Sequence, residues 1–105
     1  MNIVEILVGV HPEYPKWIQH EKTKYRIYLD DELMIERVWY WDINTYLNER
    51  IIADLPKDST HLIKLDVLKT IPGAMSEISL KNLTVNGVIQ EVGEQHNNKV
   101  SFTVA

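Results

Sequence analysis

The chain contains no cysteine, and that absence excludes disulfide scaffolds, thiolate zinc sites and cysteine nucleophiles together. Glycine is scarce. The four glycines, at positions 9, 73, 87 and 93, stand isolated and form no phosphate-cradling loop. No apolar run exceeds Ile6 to Val10, against about 20 residues for a membrane-spanning helix. The N-terminus has no positive stretch ahead of an apolar run and carries Glu5, so no secretory signal is expected and synthesis is read as cytoplasmic. Basic side chains number 11 against 15 acidic, for a formal charge of -4. They are scattered, the densest group being Lys22, Lys24 and Arg26, which argues against a nucleic-acid partner.

What is present describes one ordinary globular domain. The chain has 105 residues, 45% apolar and 25% charged, a composition far from that of disordered chains and a length suited to a single core spanning residues 1–105. The apolar residues alternate. Asn2 to Val10 is rich in Ile and Val and reads as a strand ending at His11-Pro12, where proline would interrupt a ladder. His11 to Lys22, with two prolines and Tyr14, Trp17 and Ile18, reads as a surface loop. Lys24 to Leu29 places Tyr25, Ile27 and Leu29 on one face. After the turn Asp30-Asp31-Glu32, Leu33 to Trp41 puts Leu33, Ile35, Arg37, Trp39 and Trp41 on one side. Asp42 to Asn48 is ambiguous between a helical turn and a loop. Arg50 to Leu55 and Thr60 to Leu68 are further strands around a polar turn that follows Pro56.

Glu77 to Val85 alternates and then changes phase near Asn82-Leu83, so a bulge there would return Leu83 and Val85 to the core. Asn86-Gly87 is the strongest local signal, because a type I′ hairpin turn needs positive φ at both central positions. Val88 to Val92 and Lys99 to Val104 complete seven or eight short strands. That pattern is expected of an all-β, antiparallel sandwich of jelly-roll-like kind.

No familiar catalytic or metal constellation emerges, so neither an enzyme nor a cofactor is expected. His11, His20, His61 and His96 lack the close spacing of a zinc motif. Asp30, Asp31 and Glu32 could offer oxygen to calcium, but tight turns favour Asp for backbone reasons and the regular ligand pattern of a calcium loop is missing. Ser59, Ser76, Ser79 and Ser101 lack a nucleophile-elbow context, and 15 acids in a small domain make chance carboxylate pairs inevitable. Asn82-Leu83-Thr84 matches a glycosylation sequon, read as a bystander without a secretory signal. The informative group is aromatic: Trp39, Tyr40 and Trp41, with Tyr14 and Trp17. Such rings stack on sugars, enrich protein interfaces, or fill the core between sheets.

The runs Tyr25-Arg-Ile-Tyr-Leu-Asp-Asp-Glu-Leu33, His61-Leu-Ile-Lys-Leu-Asp-Val67 and Ile78-Ser-Leu-Lys-Asn-Leu-Thr-Val-Asn-Gly87 resemble the strand order of small jelly-roll carbohydrate-binding modules. They also resemble stand-alone sandwich proteins of tailed bacteriophages. The resemblance implies a head-decoration or tail subunit in a virion, contacting other protein subunits or copies of itself, with glycan binding as the alternative. Trp17, Tyr14, Tyr40, Trp39, Trp41, Asp30, Asp31 and Glu32 are the expected contact residues.

Overall fold

A computed structural model of the chain describes residues 1–13, 24–38, 47–68, 77–90 and 98–105. Eight strands run in chain order: β1 (Ile3–Glu13), β2 (Lys24–Leu29), β3 (Glu32–Val38), β4 (Leu47–Asp54), β5 (Thr60–Leu68), β6 (Glu77–Val85), β7 (Val88–Gln90) and β8 (Lys99–Thr103). They form two antiparallel four-stranded sheets, ordered β4-β1-β6-β7 (sheet A) and β3-β2-β5-β8 (sheet B). The protein is therefore an all-β sandwich of eight strands.

Alternation places the core. Val4, Ile6, Val8 and Val10 of β1 and Tyr25, Ile27 and Leu29 of β2 point inward and are buried, joined by Ile51, Ile63, Leu65, Leu83, Val85, Val100, Phe102 and Val104. At roughly 1.5–3 kcal/mol for each fully buried aliphatic or aromatic side chain, this layer supplies the driving force that holds the sheets face to face.

Turn chemistry sets the registers. Asn86 and Gly87 have φ of 49 and 80°, the type I′ geometry, and close Val85 onto Val88. A Cβ at Gly87 would meet no atom within 4 Å, so Gly87→Ala is expected to cost only the left-handed backbone penalty of about 1–2 kcal/mol, measurable by urea unfolding. The β2–β3 turn is tighter than the sequence suggests. Asp30 and Asp31 alone occupy the positive-φ positions, at 50 and 68°, while Glu32 is already paired with Leu29.

Two strands depart from simple alternation. In β6 the register with β1 shifts so that Gly9 faces Asn82 and Val10 faces Leu80. Lys81 is thus the bulged residue, slightly before the expected Asn82-Leu83, and Leu80, Leu83 and Val85 all reach the core. In β3, Ile27 faces Ile35 but Tyr28 faces Leu33. Met34 is the extra residue there, so Leu33 turns outward, half-exposed, instead of sharing the face of Ile35 and Arg37.

β1 also runs past its expected end, through Pro12 opposite Ile78. The missing proline N–H lies on the side away from β6, because even-numbered β1 residues aim their backbone groups at β4; among the described residues the last such pair is Val10 with Leu47. β4 begins at Leu47, three residues before Arg50, taking up the end of the ambiguous segment.

Candidate functional site

Of the residues expected to make contacts, Tyr14, Trp17, Trp39, Tyr40 and Trp41 lie outside the described residues. Asp30, Asp31 and Glu32 sit at the β2–β3 turn, and the Asp30 carboxylate is already committed. Its Oδ1 accepts the Leu62 backbone N–H at 2.9 Å and its Oδ2 bonds His61 Nδ1. Both oxygens thus bond β5, 31 and 32 residues away in sequence, and no group of three His, Cys, Asp or Glu side chains among the described residues could hold a metal ion.

His61 also bonds Ser59 Oγ through Nε2 at 2.6 Å, which brings Ser59, His61 and Asp30 into the connectivity of a hydrolase triad. The surrounding bonds point to a clamp instead. The Ser59 hydroxyl donates to Pro56 O, so its proton is not available to Nε2. The backbone N–H groups of Asp58 and Ser59 donate to Val104 O and Pro56 O at 2.8 and 3.2 Å, leaving neither to stabilise an oxyanion. The His61 ring packs on Phe102, centroids 5.7 Å apart. The cluster therefore ties the β2–β3 turn to β5 and the C-terminal strand.

Slight burial pushes the Asp30 carboxyl up, and the hydrogen bonds from His61 and Leu62 outweigh it, holding the group below its ordinary value. A depressed carboxyl stabilises the fold above its unfolded pKa of about 3.9 and loses that contribution as pH falls through the folded value. Since the side chain is 46% exposed, the contribution is at most about 1 kcal/mol. Asp30→Asn, which keeps the positive φ, is expected to lower the urea midpoint at pH 7, and the gap to wild type should close towards pH 3.

A second polar cluster lies between the sheets. Glu49 on β4 is buried, accepts the Tyr25 hydroxyl at 2.6 Å and pairs with the Arg37 guanidinium through both carboxylate oxygens, the Nη2 contact being 3.0 Å. Burial, then the neighbouring Glu49 carboxylate, pushes the Tyr25 hydroxyl far above the ordinary tyrosine range. Bonding to Glu49 raises Arg37 in turn. Tyr25 and Arg37 belong to sheet B and Glu49 to sheet A, so this trio couples the layers. The alternation groups Tyr25 with Ile27 and Leu29, and Arg37 with Leu33 and Ile35, but Glu49 falls between the ambiguous Asp42 to Asn48 and the strand expected from Arg50.

The outer faces of the sheets differ in chemistry. Sheet B carries charge outward: Lys24 and Arg26 each reach Glu36 at 3.3 Å, Lys64 reaches Asp66 at 3.6 Å, and Lys64 lies 5.6 Å from the Tyr28 ring centroid, with the half-exposed Leu33 on the same face. The hydrogen bond from Lys24 leads the interactions that hold the Glu36 carboxyl below its ordinary value. Sheet A carries aliphatic side chains outward. Ile3, Ile52 and Ile89 are 55, 46 and 77% exposed, and the pairings Leu7–Arg50, Leu7–Thr84 and Thr84–Ile89 place Leu7 and Ile89 in one row of that face. Among the described residues the Arg50–Glu5 ion pair, at 2.9 Å, lies between these aliphatics, with Asp54 opposite Ile3 and Thr84 between Leu7 and Ile89. Comparison with family models, curated proteins and solved structures gives no match.

Proposed function

We propose that the chain is a non-enzymatic structural subunit that docks through the outer face of sheet A onto other protein subunits of a larger assembly. The kind of assembly it resembles is a bacteriophage virion, in which it would serve as a capsid decoration or tail protein. One observation carries this reading: three of the exposed aliphatics, Ile3, Ile52 and Ile89, lie on the outer face of sheet A, whereas the outer face of sheet B carries the ion pairs of Lys24 and Arg26 with Glu36 and of Lys64 with Asp66, with Leu33 as its exposed aliphatic. Scattered apolar residues on a surface are ordinary, but a band of branched aliphatics on one sheet face marks a surface that another molecule covers. The Glu5–Arg50 pair within the band supplies orientation more than affinity.

Gradient sedimentation of lysates from cells expressing the chain with its neighbouring genes tests the reading. The chain is expected in the fast-sedimenting fraction, with Ile3→Lys combined with Ile89→Lys releasing it to the top. A chain that stays at the top and is instead retarded in polysaccharide affinity gels would replace this reading with glycan binding.

A further inference from the structure

Among the described residues four strands lie at sheet edges: β4 and β7 in sheet A, β3 and β8 in sheet B. Exposed strand edges template pairing with other chains, and proteins blunt them with shortness, bulges, lysine or proline. Three of the four are blunted. β7 has three residues, β3 carries the Met34 bulge between two glutamates, and β8 has five residues and opens on Lys99. β4 is different: eight residues, about 27 Å of strand, paired with β1 in unbroken register from Leu47 to Asp54, with neither proline nor lysine, and its inward charge, Glu49, is bonded to Tyr25 and Arg37 of the other sheet. Among the described residues no strand lies beyond it.

The direction of its free backbone groups follows from one bond. Leu55 N–H donates to Asn2 O at 3.0 Å, so the odd-numbered residues of β4 face β1 and the even-numbered ones, Asn48, Arg50, Ile52 and Asp54, aim N–H and C=O at the open edge. We infer that this edge pairs with the same edge of a second copy, antiparallel about a two-fold axis at Ile52. This deepens the interaction-subunit reading and rests on it.

The register is chosen by charge. With Ile52 opposite the partner's Ile52, Arg50 faces the partner's Asp54 and Asp54 the partner's Arg50. All three are hydrogen-bonded positions, and Ile51 falls opposite the partner's Ala53. Centring on Arg50 would set two guanidiniums against each other, and centring on Ile51 would set Arg50 against Ile52 with no charge matched. Self-complementarity of this kind is what an isologous contact requires. The Arg50 guanidinium, 65% exposed and already held by Glu5, keeps further N–H donors for the incoming carboxylate. The result is one continuous eight-stranded sheet in which the outward isoleucine band of each copy meets at the axis.

Sedimentation velocity of the full chain should show a concentration-dependent dimer. Arg50→Glu alone and Asp54→Arg alone should each weaken it about tenfold or more by setting like charges together, and the two combined should restore it. Ile52→Pro should abolish the dimer while leaving the circular-dichroism spectrum unchanged, because the lost N–H is not used by β1. In the cysteine-free background, Ile52→Cys should give a covalent dimer on oxidation. A strict monomer at every concentration overturns the inference, as does a dimer indifferent to the charge reversals and to Ile52→Pro. In either case continued co-sedimentation with the larger assembly would show that the broader reading survives.

Discussion

Glu49→Ala is expected to destabilise the protein by about 3 kcal/mol, a large share of the roughly 5–15 kcal/mol that a domain of this kind possesses. The carboxylate is buried between the sheets and serves two partners. Its removal leaves the fully buried Tyr25 hydroxyl without this acceptor, at about 1–3 kcal/mol, and it also takes the Glu49 carboxylate away from Arg37. Because Arg37 is 42% exposed, its guanidinium can turn towards water, which keeps the expected loss at the lower end of the range for broken buried pairs. The same reasoning orders the milder variants. Glu49→Gln keeps an acceptor for Tyr25 but gives up the charge and should fall between, and Tyr25→Phe, which leaves the Arg37–Glu49 pair standing, should cost least, about 1–2 kcal/mol. Urea unfolding of the three variants checks the order. A Glu49→Ala protein as stable as wild type would mean that the trio is not the coupling between the layers.

The parts of this fold written in short stretches were readable from the amino acids. Asn86-Gly87 specifies its own turn through backbone conformation, and Tyr25, Ile27 and Leu29 identify their face by period alone. The phase change in β6 announced a bulge, but its position depended on the partner strand, so Lys81 emerged only from the pairing with β1. The bulge at Met34 gave no local sign, since Leu33, Ile35 and Arg37 alternate without a break. What joins distant segments was hidden. Glu49 meets Arg37 and Tyr25 across two sheets, and a charged residue just ahead of the apolar run of its strand gives no local sign that it faces inward. Ser59 and His61 share a face by spacing, yet Asp30 reaches them only because β2 pairs with β5. The edge character of β4 is a property of strand order and has no signature in Leu47 to Asp54 themselves.

Leu83→Ala should likewise cost about 3–4 kcal/mol, within the usual span for a fully buried leucine whose surroundings cannot collapse. Leu83 has no exposed surface and sits opposite Val8, one position before Thr84 turns outward. Its neighbours are held from both ends. The Asn86-Gly87 turn fixes Val85 on Val88, and on the other side of the bulge the Leu80 N–H is bonded by the Asn98 carboxamide oxygen at 3.1 Å. Asn98 also accepts Leu65 N–H through its backbone carbonyl at 2.8 Å, so the bulge is anchored to the opposite sheet. Deleting Lys81 should be milder than truncating Leu83. Without the extra residue the pairs Val8–Leu83, Gly9–Asn82 and Val10–Leu80 become consecutive in one unbroken register, so alternation by itself keeps Leu80 and Leu83 on the core face. What the deletion removes is the local bend and twist of the bulge, and with it part of the alignment of the Leu80 N–H on Asn98. Denaturation midpoints of the two variants decide the matter: a deletion costlier than Leu83→Ala would show that the shape of the bulge, and not only the register it sets, holds β6 to the opposite sheet.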